Sequence, residues 1–340
     1  MPCIFCKATE NLTKEHVFPA FTGADLTVEG GSCTTCNIQC SIFEDKVAAQ
    51  TETARHVFEI PNRYGRVPSA SAKIEIQGAG LETVIAAGRR KANGEIELYD
   101  FVKNIKTEDG KKIRDGFFVT NENAEKFIQR SRARGEKVTE LSVPKEVTLS
   151  PSEQQTIAFA FSLDIRKVAA KIALVSLAYQ YGIEYACLPQ FDQLRGAIVG
   201  SGADLPVRIF ANEDFTHDHS RTPQQHSVRT YLSAGMHKGW ALVTVFGGLS
   251  YAVELTGGFN EREGRKFSLF YDTHSQALFS PVVLYDEQEI IGRVLSPDTR
   301  FEQPEAIDAQ WYQIVERYCK DNGIGLSRTA PNAQPPQNSD

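Results

Sequence analysis

Apolar and polar positions along the chain follow two rhythms. Ala72-Lys73-Ile74-Glu75-Ile76 and Glu95-Ile96-Glu97-Leu98-Tyr99 alternate, as half-buried strands do. Asp109-Gly110 predicts a hairpin turn ahead of Gly116-Phe117-Phe118-Val119. A helix capped by Thr120 or Asn121 then runs through Phe127 to a basic end. In residues 152–182, Ile157, Phe161, Ile165, Val168, Ile172 and Val175 recur at helical spacing. Ser152 and Gln155 form a capping-box pattern, Leu163-Asp164 can split this helix in two, and Gly182 stops it.

Short strands are predicted again from 206 to 300: Val207 to Phe210, Ala241 to Phe246, Leu249 to Leu255, Phe267 to Tyr271 and Val282 to Tyr285. Gly247-Gly248 supplies a turn between the second and third. Trp311, Ile314, Val315 and Tyr318 mark a last helix at 304–321. The expected fold class is therefore α+β. Residues 1–50 form a small cysteine-rich module and 51–66 a linker broken by Pro61 and Gly65. Residues 67–327 form a larger mixed α+β domain, and 328–340 a disordered tail rich in Pro, Gln and Asn.

With 41% hydrophobic and 24% charged residues, the composition is that of an ordinary soluble protein. No apolar run is long enough for a membrane span, and MPCIFCKATE lacks the build of a secretory signal, so a cytoplasmic location is expected. The net charge of −6 argues against a polyanionic partner, but local fields decide binding. Arg89 to Lys137 holds thirteen Lys and Arg against nine Asp and Glu, a local excess of positive charge.

Five of the seven cysteines lie in the first forty residues. Cys3-Ile4-Phe5-Cys6 and Cys33-Thr34-Thr35-Cys36 are C-x-x-C pairs separated by twenty-six residues. Two such tight turns can complete a tetrahedral thiolate site, which suits structural Zn²⁺. A redox pair would sit between a strand and a helix in a thioredoxin-like context, and this sequence offers Cys3 no such setting. Cys40 reads as a small buried hydrophobe.

Between the pairs stands Thr13-Lys14-Glu15-His16 with Pro19 three residues further on, and Asn37 directly follows Cys36. In these residues, over about 3–50, the chain resembles the HNH endonuclease family, a ββα-metal fold, in its subgroup with two C-x-x-C knuckles. The resemblance implies a phosphodiester hydrolase acting on nucleic acid, DNA in the first instance. His16 would be the general base, with Glu15 and Asn37 as oxygen ligands to a catalytic Mg²⁺ or Mn²⁺. Histidine suits base work near neutral pH, and hard oxygen donors suit those cations. The chain departs from the family pattern twice. Phe21 to Ser32 contains no Asn, and the helix expected from Ser41 to Gln50 carries no His, leaving Glu44 or Asp45 to stand in, Asp45 being the one assigned. Adjacent strand residues face opposite ways, so Glu15 and His16 share a site only where the backbone turns or the cation sits at the strand edge.

The other reading is a non-catalytic zinc module that binds nucleic acid or a protein partner. Outside the module, Thr216-His217-Asp218-His219 with His226 reads as a solvated loop or a second site. Arg130, Arg132 and Arg134 with Lys126 and Lys137 are candidates for phosphate contacts or a solvated helix end. Asp192 to Arg195 has no assigned chemistry, and Lys167 and Lys171 are expected to snorkel from a buried helix face.

Overall fold

The computed structural model describes residues 1–62, 67, 70–75, 84–90, 96–99, 101–106, 112–118, 121–138, 148–150, 160–200, 205–211, 222–259, 261–279 and 300–323. Its centre is helix α4 (Leu163–Tyr181). Ser162 caps it by accepting the Ile165 N–H at 3.4 Å, and Asp164 in the first turn complements the helix dipole. The expected break at Leu163-Asp164 is thus the start of the helix, and most of the predicted first half, residues 152–159, lies outside the described residues. Gly182 ends it at φ +91°. Every side chain from Val168 to Ala178 is buried, as expected of a helix apolar all round. One side of α4 packs on a large sheet and the other on the N-terminal module.

That sheet is antiparallel, with seven strands in the order β14-β13-β10-β11-β12-β9-β15. The strands are β9 (Val207–Ala211), β10 (Gln225–Ser233), β11 (Lys238–Val245), β12 (Leu249–Thr256), β13 (Arg265–Asp272), β14 (Ala277–Leu278) and β15 (Arg300–Phe301). The predicted turn at Gly247-Gly248 joins β11 to β12. A Cβ at Gly247 would lie 2.2 Å from the Thr222 carbonyl, and one at Gly248 would lie 2.4 Å from Ile314. The turn is tight because other chain packs directly onto it. The predicted strand at Val282 to Tyr285 lies outside the described residues.

The first module comprises β1 (Leu12–His16), β2 (Thr27–Cys33) and α1 (Thr34–Gln50), with β1 and β2 antiparallel. Helix α1 begins at the second cysteine pair, seven residues before the expected start at Ser41. Cys33 is its N-cap, and Cys36, Cys40, Phe43 and Val47 form its buried stripe. Between the strands, Val17, Phe18, Phe21 and Ala24 are buried against the large sheet. Pro19, with φ −54°, starts a 3₁₀ turn at Ala20–Thr22 there. Residues 51–66 are not simply an extended connection. They contain α2 (Glu52–Val57), and Phe58 and Ile60 are buried. Helix α7 (Pro304–Asp321) closes over them, with Trp311 and Tyr318 both edge-on to Phe58.

Further elements lie away from this core. A four-stranded antiparallel sheet has the order β5-β4-β3-β8, from β3 (Ala70–Glu75), β4 (Val84–Arg90), β5 (Ile96–Tyr99) and β8 (Thr148–Ser150). A hairpin pairs β6 (Phe101–Lys106) with β7 (Lys112–Phe117), and the predicted turn residues Asp109-Gly110 lie outside the described residues. Helix α3 (Asn121–Ala133) carries Arg130 and Arg132 in its last turn, as read from the sequence. The tail from 328 lies outside the described residues.

Reading His226 as part of a solvated loop or metal site is corrected by the structure. It sits on β10, fully buried, with Nε2 3.2 Å from the Thr22 carbonyl. The Phe246 N–H donates to its Nδ1 at 3.2 Å, which places the ring proton on Nε2. Residues 216–219 lie outside the described residues. Burial lowers the His226 pKa to about 4, so the ring is neutral at physiological pH. The unfolded chain, with an ordinary histidine pKa near 6.5, binds the extra proton first as pH falls. The stability linked to His226 is therefore complete above pH 6.5 and is lost on the way down to about 4, on the order of 3 kcal/mol in all. Imidazole NMR should find the neutral Nε2–H form at pH 5.5, and protonation near pH 6.5 would contradict the assignment.

Candidate metal centre and the buried charges beside it

The four cysteines of the two pairs converge. The sulfurs of Cys3, Cys6, Cys33 and Cys36 all lie within 4.8 Å of one another, with Cys6 and Cys33 3.6 Å apart. Zinc–sulfur bonds of about 2.3 Å place tetrahedral sulfurs about 3.8 Å apart, so the spacing fits a zinc ion and is far too long for a disulfide. Among the described residues this is the one group of three or more His, Cys, Asp or Glu placed to hold a metal.

Local backbone builds the cluster. In the first knuckle the Lys7 N–H returns to the Cys3 carbonyl at 2.9 Å, with Lys7 at φ +62°. The Ile4 N–H reaches the Gly31 carbonyl at 2.9 Å and hooks that knuckle onto β2. In the second, the Cys33 sulfur accepts the Cys36 N–H at the start of α1. Burial pushes the Cys33 thiol up, but hydrogen bonds, first from the Cys36 backbone, outweigh it and bring the pKa down to about 7. Burial holds Cys3 and Cys36 well above the ordinary thiol range. Four sulfurs this close ionise together only around a cation, and the donor set is the soft one that zinc takes. Cys40 is buried, as expected of a small hydrophobe, and burial raises its thiol to about 12.

Glu15, His16 and Asn37 lie beside this cluster. Glu15 and His16 are the last two residues of β1, and pair with Val28 and Thr27. Glu15 is buried and His16 half-buried. Asn37, in the first turn of α1, donates from Nδ2 to Thr13 Oγ1 at 3.0 Å. Alternation along β1 puts Thr13 and Glu15 on one face, with Lys14 and His16 on the other. Asn37 is thereby brought to the Glu15 face of the strand. Asp45 is exposed on α1 and joins no such cluster, whereas its neighbour Glu44 faces inward to an ion pair.

The partner of Glu44 is the residue that the sequence reading misplaced. Lys171 of α4 does not snorkel. It is 2% exposed, with Nζ 2.5 Å from Glu15 Oε1 and also paired with Glu44 Oε1. Burial alone would strip its proton, but the two carboxylates, Glu44 first, outweigh that and hold its pKa above the ordinary lysine value. Burial raises the Glu44 pKa. Glu15 Oε2 is buried with no hydrogen bond. The sequence did carry a signal for this site: one lysine amid an unbroken apolar stretch, Val168-Ala169-Ala170-Lys171-Ile172-Ala173, must be paired to be buried.

Gly31 makes room for Glu15. Two extra residues bulge from β2 between Val28 and Ser32 opposite Lys14, and a Cβ at Gly31 would lie 2.8 Å from the Glu15 Cβ. Around the first knuckle, Arg195 donates to the carbonyls of Cys187 and Leu188 and pairs with Asp192, which also binds Lys7 at 2.9 Å. This gives Asp192 to Arg195 a structural role.

No family model matches the chain, and neither does any curated protein or solved structure. No helix among the described residues is long and apolar enough to cross a membrane.

Two outcomes follow for the centre. Elemental analysis should find one zinc per chain, and Cys33→Ser should release it and melt the module, seen as lost amide dispersion for residues 1–50. Gly31→Ala should destabilise the protein by about 1–3 kcal/mol in urea unfolding, since Glu15 must shift or strain.

Proposed function

We propose that the chain is a metal-dependent endonuclease of the HNH type, with residues 1–50 as the cutting module. The observation that carries this reading is the convergence of three separate stretches. The cysteine cluster clamps the start of α1 to the β1–β2 hairpin, and Asn37 is bonded to Thr13, three positions before His16. A half-buried imidazole at a strand end can meet substrate and take the proton of an attacking water.

Glu15 Oε2 and the Asn37 amide oxygen are the donors proposed for Mg²⁺ or Mn²⁺. The fit rests on Glu15 Oε2, a buried carboxylate oxygen with no hydrogen bond, and on the Asn37 bond to Thr13, which commits Nδ2 and leaves Oδ1 as the donor. Such cations bind through few protein carboxylates and keep several waters, so exposed Asp45 is not required. When bound, the cation would stabilise charge on the phosphate and the departing oxygen. Residues 67–327 would supply recognition of the target, with DNA as the first substrate to examine.

One observation favours the second reading, a zinc module that binds without cutting. The ion pair of Glu15 Oε1 with Lys171 gives Glu15 a purely structural use. Digestion of plasmid DNA and of single-stranded DNA and RNA with Mg²⁺ or Mn²⁺ separates the two. Cleavage is expected, and His16→Ala should lower it about 10²–10⁴-fold with zinc content and circular dichroism unchanged. A folded, zinc-loaded wild type that cuts none of these substrates would favour the binding module, and equal cleavage by His16→Ala would remove His16 from the mechanism.

A further inference from the structure

We propose that the Lys171 ammonium sits in the seat of the divalent cation, so that α4 sets how tightly the module takes its catalytic metal. This deepens the nuclease reading and rests on its assignment of Glu15 as a cation ligand.

The argument starts from where the two carboxylates come from. Glu15 is on β1 and Glu44 is on α1, ten residues into that helix. Zinc clamps these elements together through Cys33 and Cys36, so the carboxylates meet whether or not α4 is present to receive them. Their meeting point is one Nζ atom with no access to water. An ammonium has donors only, and it answers one oxygen of each carboxylate. The other oxygen of Glu15 is buried and has no hydrogen bond. Protein carboxylates around one cation, with an oxygen in reserve, are the donor set of a hard divalent ion.

With Lys171 in place the group carries one net negative charge, and without it two. A divalent ion approaching Glu15 Oε2 therefore meets a fixed positive charge bound to the same carboxylate. It must bind against that repulsion or displace the ammonium. Because α4 also carries the large sheet, any movement that draws Lys171 back strengthens metal binding at Glu15. The large domain thus holds the module's metal affinity in check through one side chain.

The test uses the full, zinc-loaded chain without nucleic acid. Binding of Mn²⁺ is followed by the paramagnetic resonance signal of the free ion and by thermal melting. Lys171→Met should bind Mn²⁺ at least tenfold more tightly than wild type, and Mn²⁺ should raise its melting temperature. If Lys171→Met is unfolded alone, Mn²⁺ should restore its fold. The neutral variant Lys171→Met/Glu15→Gln/Glu44→Gln should fold, because replacing a buried ion group whole is well tolerated, and should ignore Mn²⁺. Unchanged or weaker Mn²⁺ binding by Lys171→Met overturns the proposal. So does failure of Mn²⁺ to restore an unfolded variant, or equal tightening in the neutral variant. Absent cleavage bears on the nuclease reading alone, because no substrate is present in this experiment.

Discussion

A buried ammonium cannot exchange its partners for water, and this constraint on Lys171 organises the protein. Its two carboxylates come from β1 and α1, while the lysine comes from the middle of α4. A shift of α4 by one residue would turn an alanine or isoleucine toward the carboxylates and leave them unanswered. Removing one member of such a group typically costs about 3–5 kcal/mol, whereas replacing the whole group is close to neutral. The triad therefore acts less as a source of net stability than as a register mark. It fixes how the cysteine module sits on the helix that the large sheet is built against.

The cysteine cluster plays the complementary part within the module. A two-stranded hairpin is marginal by itself, and here it is tied at both ends. Cys33 belongs to β2 and caps α1, and the first knuckle hangs from Gly31 through the Ile4 N–H. The same glycine lets Glu15 pass inward. Metal-site geometry and carboxylate placement thus depend on one short stretch, Gly30 to Cys36. The loop between the strands adds a second attachment, where the Thr22 carbonyl meets neutral His226 and Gln276 Nε2 donates to the Gly23 carbonyl at 2.9 Å. The apolar core is accordingly continuous from Cys3 and Ile4 through α4 to the sheet. The boundary expected after residue 50 is a change of architecture, with no break in packing.

Much of the fold was legible locally. The β11–β12 hairpin followed from alternating apolar residues around Gly247-Gly248, and α7 from the spacing of Trp311, Ile314 and Tyr318. These patterns are legible because one face is buried and the other is not. Strand β10 escaped because it is buried on both faces, so Ser227, Arg229 and Thr230 gave it a polar reading. The start of α1 escaped for a different reason. Its first turn is set by a sulfur cap, and Ile38 and Ile42 lie on its exposed side, which obscured the apolar stripe.

The cysteine spacing determined by itself that four thiols can meet, since each pair forms its own turn and only one closure is needed. The sequence also determined the order of hairpin and helix, because turn and strand preferences act over a few residues. It could not determine what faces Glu15. That partner lies more than one hundred and fifty residues further along the chain, and only the packing of α4 brings it there. Helical spacing reports which face of a helix is apolar, but a helix buried on every side has no face to report. The fate of its one charge was decided by tertiary contact, where two carboxylates and an ammonium had to be shut away from water together.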